Sequence, residues 1–576
     1  MTDPMIDKLA AAVSAKVMWR HLEEFAKRVK LSGTPEELDS FRYLQACLDS
    51  YSLKTELYSH EAYISLPGKA RIEIGNLTPD CITHSFSQSS PQGGLTSNLV
   101  YVGAGAENDF AARDVRGKIV LIENIATPAT SLRATEAGAV GQIHISPHQH
   151  LHEMCISPVW GNPTPATLAK LPKTVVLSVR QEDGEALRRR LEAGEDVEAT
   201  LYAKVDTGWR KTPLLVADLS RDSAAKDEPF VMFSGHHDTW HLGVMDNGGA
   251  NATMLEVARL LAPERERLRR GLRLCFWSGH SHGRYSGSAW YADAHWEDLA
   301  NRCVVHVNVD STGAKGNTVM TDARASSELY ELAAEAVLRQ GGQKLDRHRV
   351  GRGSDHSFWG IGIPAMFEGL GLQPLGSDKV MSAFVGRATN RKAAGLGWWW
   401  HTPEDTLDKM DPDLLVKETR VYVHTLWRLL TERVLPLDYV GHAEALGREL
   451  EDLAGKLTGR FDLAPLDCRL RVFHERAAAL KQGAASATSD AEVARINASL
   501  MAAAHAMVPM DYTTGDRFEP DPALGQSAYP VLDPLRHLAT TSEGSDAAKF
   551  AEVAARRAAN RLACALDEAN AQMLGC

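Results

Sequence analysis

The feature that most constrains this chain is an alternation of apolar strands and helices that begins near residue 212. Apolar runs such as PFVMFSG, LRLCFW and CVVHVNVD are separated by stretches long enough to hold a helix, such as ATMLEVARLLA. Strands that are apolar along their whole length are buried on both faces, which is typical of a parallel sheet covered by helices. We therefore predict an α/β fold with a mixed, mainly parallel sheet and helices on both faces.

Two further regions interrupt and follow this part of the chain. A length of 576 residues exceeds what one hydrophobic core usually supports, so several domains are expected. Residues 71–207 contain short apolar runs punctuated by Gly, Pro and Ser, which predicts an inserted β-rich domain. Residues 436–576 are rich in Ala, Leu, Glu and Arg at helical spacing, which predicts a helical domain. Residues 1–70 and 208–435 then form the central domain.

Composition argues against two classes of partner. The formal net charge is -11, whereas nucleic acids and anionic membranes attract basic surfaces. The N-terminus is acidic and lacks a long apolar stretch, so it does not resemble a signal peptide, and no membrane span is predicted. Eight cysteines are scattered without paired spacing, which favours reduced thiols and a cytoplasmic location.

Five segments rich in His, Asp and Glu lie where the predicted strands end. In sheets of this kind, ligands bind at the carboxyl ends of the strands. Imidazole and carboxylate ligands suit zinc without any thiolate, and a carboxylate shared by two metal ions lets them act together on water and a carbonyl. The segments are FSGHHDTWHLGVMDNGGA (233–250), FWSGHSHGRYSGS (276–288), VNVDSTG (307–313), GRGSDHSFWGIGIPA (351–365) and WWWHTPEDTLDKMDP (398–412).

These segments resemble those of the co-catalytic zinc peptidase family that includes bacterial leucyl aminopeptidases, glutamate carboxypeptidase II and the transferrin receptor. In that family a Gly-His-x-Asp strand end provides a zinc ligand, matched here by His236 with Asp238 behind it. A Gly-x-x-Asp-Asn turn provides the bridging carboxylate, matched by Asp246. An Asn-x-Asp strand end and a His-Thr segment provide further ligands, matched by Asp310 and His401.

The chain departs from the family pattern in the segment that follows Trp-Ser-Gly. The family has two adjacent glutamates there, a general base followed by a metal ligand, and this chain has neither. Aligned backwards from the later Gly-Ser pair, Ser281 takes the position of the base and His282 that of the ligand. Aligned forwards from the tryptophan, His280 and Ser281 take these positions. We favour His282 as the ligand, and His280, Asp355 or His356 as the group that accepts the proton.

The resemblance implies a metal-dependent hydrolase of amide bonds, in small peptides or N-acyl amino acids, that uses a metal-activated water. Two Zn²⁺ ions per chain are expected, although a single ion, Co²⁺ or Mn²⁺ remains open. The expected metal ligands are His236, Asp246 and Asp310 for one ion, and Asp246, His401 and His282 for the other. Catalytic roles are assigned to Asp238, His280 and Ser281, and substrate contacts to Arg284, Tyr285 and Trp400.

The flanking regions carry the same resemblance. Residues 71–207 resemble the protease-associated domain that is inserted in such peptidases, and the tail resembles the dimerisation domain of the glutamate carboxypeptidase branch, which implies a homodimer. Two other functional readings stay open. One is a non-catalytic receptor on the same fold. The other is a serine hydrolase, because residues 279–283 form a G-x-S-x-G pattern around Ser281.

Overall fold

The fold is described by a computed structural model over residues 3–376 and 393–573. Within these residues, one sheet contains eleven of the strands, and a separate two-stranded sheet lies beside it. The strands are β1 Lys54–Glu73, β2 Cys81–Thr83, β3 Leu95–Tyr101, β4 Ile119–Glu123, β5 Gly141–Ile145, β6 Val175–Val179, β7 Glu198–Leu219, β8 Phe230–His236, β9 Gly271–Trp277, β10 Cys303–Asn308, β11 Ala365–Met366, β12 Gln373–Pro374 and β13 Ala393–Gly395.

The α-helices cover both faces of the central sheet and make up the C-terminal tail. The helices are α1 Pro4–Ala11, α2 Ala15–Phe25, α3 Pro35–Ser50, α4 Glu107–Ala111, α5 Pro128–Glu136, α6 Gln181–Glu192, α7 Ala250–Leu261, α8 Ser286–Ala294, α9 Trp296–Arg302, α10 Tyr330–Ala336, α11 Pro412–Thr431, α12 Tyr439–Leu457, α13 Ala464–Ser486, α14 Asp490–Tyr512, α15 Asp533–Thr540 and α16 Asp546–Gln572.

The central part of the sheet is parallel, as the apolar strand pattern predicted. Strands β9, β8, β10 and β11 lie side by side in parallel, and β7 adds to β9 in the antiparallel direction. Every residue of β8 is buried, and its side chains alternate between two cores. Val231 and Phe233 pack with α2, α3, α7 and α11, whereas Phe230 and Met232 pack with α8 and α9. The predicted α/β fold with helices on both faces is confirmed.

A long antiparallel ribbon joins the inserted region to the central sheet. Strands β1 and β7 pair from Lys54 opposite Asp218 to Glu73 opposite Thr200. The first part of β7 pairs with β3 and its last part pairs with β9, so one sheet runs through both regions. The predicted boundaries after residues 70 and 207 fall inside these two strands. The division into domains stays a prediction, and the sheet is continuous across it.

The tail is helical, as predicted, and it packs against the central region. His442 on α12 is fully buried, and its Nδ1 lies 3.0 Å from Oε2 of Glu328, which is also buried. Nε of Arg349 donates to Asp511 on α14 across 2.8 Å. Because buried charged groups are tolerated only when they are paired, these contacts fix where the tail sits on the central region.

Two observations bear on the earlier predictions about membranes and thiols. None of the helices in the described residues is both long enough and apolar enough to cross a bilayer. Seven cysteines lie in the described part of the chain and all seven are free thiols, while Cys576 lies outside it.

Replacing Leu274 by alanine tests the packing of the central sheet. Leu274 lies on β9 and is fully buried in the core that α2, α3, α7 and α11 cover. We expect Leu274→Ala to lower the free energy of unfolding by about 2–5 kcal/mol, because a cavity remains where the side chain was. Urea denaturation measures this change. The matched control is Leu77→Ala, at a half-exposed leucine, which we expect to change stability by less than about 0.5 kcal/mol.

Candidate metal centre

The residues singled out at the strand ends converge at one edge of the sheet. His236 is the last residue of β8, and Asp246 lies in the turn that leads from β8 into α7. Asp310 follows the end of β10, and His401 lies in the loop that precedes α11. Because the parallel strands all end at this edge, residues far apart in sequence come together here.

Asp246 lies between two histidines. Its Oδ1 is 3.1 Å from Nε2 of His236, and its Oδ2 is 3.2 Å from Nε2 of His401. The backbone N–H groups of Met245 and Asp246 donate to the two carboxylate oxygens of Asp405, at 2.8 and 3.0 Å, which anchors this turn. The peptide bond between Asp246 and Asn247 is cis. One carboxylate therefore presents one oxygen to each histidine, which is the arrangement of a ligand shared by two ions.

The charges around His236 favour a cation at this position. Burial lowers the pKa of His236, but Asp310, Asp238 and Asp246 outweigh it and hold that pKa well above its usual range. Burial raises the pKa of Asp246, and hydrogen bonding to His236 and His401 more than offsets this, so its pKa lies well below its usual range. Nε2 of His236 is also 3.6 Å from Oδ1 of Asp310. A cluster of carboxylates around imidazole nitrogens fits the donor set of zinc.

His280 lies beside this cluster. Ligand-type atoms of His280, His236 and Asp310 are all within 4.8 Å of one another. The Nδ1 atom of His280 is 2.8 Å from Oδ2 of Asp355, whose Oδ1 accepts from the Ser288 hydroxyl at 2.8 Å. A carboxylate only accepts, so Nδ1 of His280 carries the proton and its Nε2 carries the lone pair.

The rings of His280 and His236 are stacked, which separates their roles. Their centroids are 3.7 Å apart and their planes differ by 11°. The lone pair of an imidazole nitrogen lies in the plane of its ring, so two parallel rings do not direct their lone pairs at one ion about 2.0–2.1 Å away. If His236 is a ligand of an ion, His280 lies next to that ion and does not coordinate it.

His282 is fully buried, and its Nε2 has no hydrogen-bond partner among the residues that the structure describes. Its Nδ1 is 3.0 Å from the Ser32 hydroxyl, which donates to Asp238, so Nδ1 carries the proton and Nε2 presents its lone pair. The His282 ring lies 4.5 Å from the Trp240 ring, which is 5.1 Å from the His401 ring. The group of His236, His280 and Asp310 leaves out His282, as it leaves out Asp246 and His401. His282 therefore stays a predicted metal ligand.

Asp238 holds the turn that carries His280. Its Oδ2 accepts from Ser281 N–H at 2.9 Å and from the Ser32 hydroxyl at 2.6 Å, and its Oδ1 accepts from His280 N–H at 3.3 Å. Nδ1 of His236 lies 2.9 Å from the Asp238 carbonyl oxygen and 3.7 Å from its carboxylate. Asp238 therefore orients His236 through the main chain, whereas its side chain orients the next turn.

The described residues offer no base to Ser281. Its hydroxyl oxygen is buried and has no hydrogen-bond partner among the residues that the structure describes. A serine nucleophile needs a base within hydrogen-bonding reach. The arrangement therefore does not support the serine hydrolase reading.

The residues predicted to contact substrate border the same centre. The Tyr285 ring is buried, 4.9 Å from the His280 ring and 4.4 Å from the Trp160 ring. The Arg284 guanidinium lies 4.8 Å above the Tyr285 ring and donates to the Ala523 carbonyl oxygen of the tail at 3.2 Å. The wall next to His280 thus combines the inserted region, the central region and the tail.

Asp405 and Glu153 of the centre were not assigned a site role from the sequence. Asp405 follows His401 in the HTPED run. Asp355 was predicted only as one of three candidate proton acceptors, whereas its carboxylate lies on Nδ1 of His280. The main chain of Glu153 contacts His401, but the sequence around Glu153 does not indicate a site role, because this residue lies in the inserted region 248 positions away. Its role depends on a contact between distant parts of the chain.

Comparison with known proteins agrees with this geometry. Residues 215–426 match the model of the family described as Peptidase family M28. Aminopeptidase YwaD of Bacillus subtilis (strain 168) is 25% identical over 410 residues, which cover 67% of this chain and 78% of that protein. The probable glutamate carboxypeptidase AMP1 of Arabidopsis thaliana is 22% identical over 546 residues, which cover 81% of this chain and 74% of that protein.

A solved structure shares the fold. The zinc aminopeptidase BSAP from Bacillus subtilis superposes with a TM-score of 0.54 at 20% sequence identity, covering 73% of this chain and 96% of that chain. The family match and this likeness confirm the resemblance to co-catalytic zinc peptidases. The family match and the two relatives also support a metal-dependent peptide hydrolase as the general class of this chain, whereas the solved structure shows the fold alone.

Proposed function

We propose that this chain, whose residues 215–426 match the model of Peptidase family M28, removes residues from small peptides or cleaves N-acyl amino acids by metal-dependent hydrolysis. The observation that carries the proposal is the position of Asp246. Its two carboxylate oxygens face His236 and His401 at 3.1 and 3.2 Å, inside a buried site at the edge of a parallel sheet.

The chain's own residues divide into two ligand sets. His236, Asp246 and Asp310 would hold one ion, and Asp246, His401 and His282 would hold a second. The second set has one carboxylate fewer, so we expect it to bind its cation more weakly. Zn²⁺ fits these donors, as do Co²⁺ and Mn²⁺. When bound, such ions lower the pKa of water and polarise a carbonyl oxygen.

His280 is the residue that we assign to proton transfer. Its Nδ1 proton is held by Asp355, so its Nε2 is free to take a proton from an attacking water at the edge of the cluster. Asp238 keeps this turn in place through the N–H groups of His280 and Ser281. The pair of His280 and Asp355 would thus replace the glutamate base that the family carries. Tyr285 and Trp160 enclose the space beside His280 and keep bulk water out.

Three predictions from the sequence are separate from this proposal and stay predictions. They are the protease-associated identity of the inserted region, the homodimer and the cytoplasmic location. Arg284 and Trp400 also remain predicted substrate contacts.

Chelation tests the proposed reaction class. We expect the purified chain to hydrolyse members of a panel of dipeptides, longer peptides and N-acyl amino acids. 1,10-Phenanthroline should abolish this activity, Zn²⁺ should restore it, and a fluorophosphonate should leave it unchanged. Asp246→Ala should lose both bound metal and activity. The matched control is Asp408→Ala, at an exposed aspartate that precedes α11. Activity that survives chelation, or an Asp246→Ala variant that retains full activity, would contradict the proposal.

Asp355→Asn tests the assignment of His280. The asparagine amide can either accept from or donate to Nδ1 of His280. It therefore no longer fixes the imidazole proton on Nδ1. We expect kcat to fall by about 10²–10⁴-fold, the usual contribution of a general base. The metal content, measured by elemental analysis, should not change.

The control for this variant is Asp293→Asn, at an exposed aspartate on α8. An unchanged kcat in Asp355→Asn would remove His280 from proton transfer. Loss of metal in the same variant would show instead that His280 is a ligand.

A further inference from the structure

The inserted region sends one segment across to the loop that carries His401. Residues 148–153, His-Gln-His-Leu-His-Glu, lie between β5 and β6, and we call them the histidine segment. We propose that the histidine segment is a positioning element that sets the backbone conformation and the tautomer of His401 for metal binding. This inference rests on the proposed metal centre.

His401 has a backbone conformation that needs support. Its φ angle is 59°, in the left-handed region that side chains other than glycine rarely adopt. Such conformations are unfavourable for residues other than glycine and persist only where the surroundings hold them. The Glu153 N–H donates to the His401 carbonyl oxygen at 3.1 Å, and the Glu153 carbonyl oxygen lies 2.7 Å from Nδ1 of His401. One residue of the histidine segment thus holds His401 at two points.

The second of these contacts also decides the tautomer. A carbonyl oxygen only accepts, so Nδ1 of His401 carries the proton and Nε2 presents its lone pair. Nε2 is the atom that lies 3.2 Å from Oδ2 of Asp246, where the weaker ion would bind. A histidine ligand whose other nitrogen donates to a carbonyl oxygen is a common feature of metal sites, and it raises the basicity of the ligand.

A chain of hydrogen bonds within the histidine segment supports Trp400, the residue before His401 in the loop. The His150 N–H donates to Nδ1 of His148 at 3.0 Å, so Nε2 of His148 carries a proton. That Nε2 lies 3.3 Å from Nε2 of His152, whose Nδ1 donates to the Trp400 carbonyl oxygen. Each imidazole donates once and accepts once. Burial lowers the pKa of His152 to about 3, so it stays neutral in this chain of hydrogen bonds.

Ring contacts hold the loop on both sides of the same residues. His150 stacks on Trp398 with centroids 4.2 Å apart, and Trp400 stacks on His401 at 3.5 Å. The Trp240 ring lies 5.1 Å from the His401 ring. His150 of the inserted region therefore helps to hold this loop, although the inserted region supplies none of the proposed ligands.

Zinc affinities of matched variants test the inference. We would titrate the full chain with Zn²⁺ against a chelator of known affinity, and record Co²⁺ absorption spectra in parallel. His152→Phe removes the hydrogen bond to Trp400. We expect it to lower the affinity for the more weakly bound ion 10–100-fold, the usual effect of losing a residue that orients a ligand. The tighter ion at His236 serves as an internal reference and should not change. His152→Asn retains an N–H donor and should restore part of the affinity.

The control variant is His144→Phe. His144 is equally buried in the inserted region, but its ring contacts Asn124 and Gln142 and not the loop. Equal weakening in His144→Phe would mean that the inserted region acts only through its overall stability, which overturns the inference. Unchanged affinities in His152→Phe, or a wild-type chain that binds a single ion, would overturn it as well. A wild-type chain that binds no metal would instead remove the proposed function.

Discussion

The site depends on one buried carboxylate that faces two histidines. Asp246 is held at its backbone by Asp405 and presents its oxygens to His236 and His401. An ionised carboxylate in a buried position is stable only when it is paired, so the structure must bring partners to it from separate strands. The parallel arrangement of β8 and β10 does this by ending both strands at one edge. The loop before α11 then supplies the last partner.

The loss of the usual glutamates changes the centre more than it removes it. The turn after β9 places His280 beside His236, with Asp355 behind it. Asp238 holds this turn through two main-chain N–H groups. Under the proposed function, the departure lies in the proton acceptor and in the histidine that takes the place of a carboxylate ligand, and not in the frame that supports them.

Much of this arrangement was predictable from the sequence, and the rest was not for physical reasons. Strands buried on both faces have continuous apolar runs, so β8, β9 and β10 were predicted together with the residues at their ends. The positions of His280 and His282 were not, because a turn has no periodicity. Asp238 and the hydrogen bond between the His282 carbonyl oxygen and Ser65 on β1, more than two hundred positions away, hold this turn. The contact between Glu153 and His401 spans a similar distance and has no local signal.

Anomalous diffraction at the zinc absorption edge, from crystals grown with Zn²⁺, would show which residues hold each ion. We expect one strong peak bounded by His236, Asp246 and Asp310. We expect a weaker second peak between Asp246, His401 and His282, with His280 adjacent to the first ion and not bonded to it. An absence of peaks at Asp246, or a single ion bound by His280 or His282 in place of His236, would contradict the proposed two-ion centre.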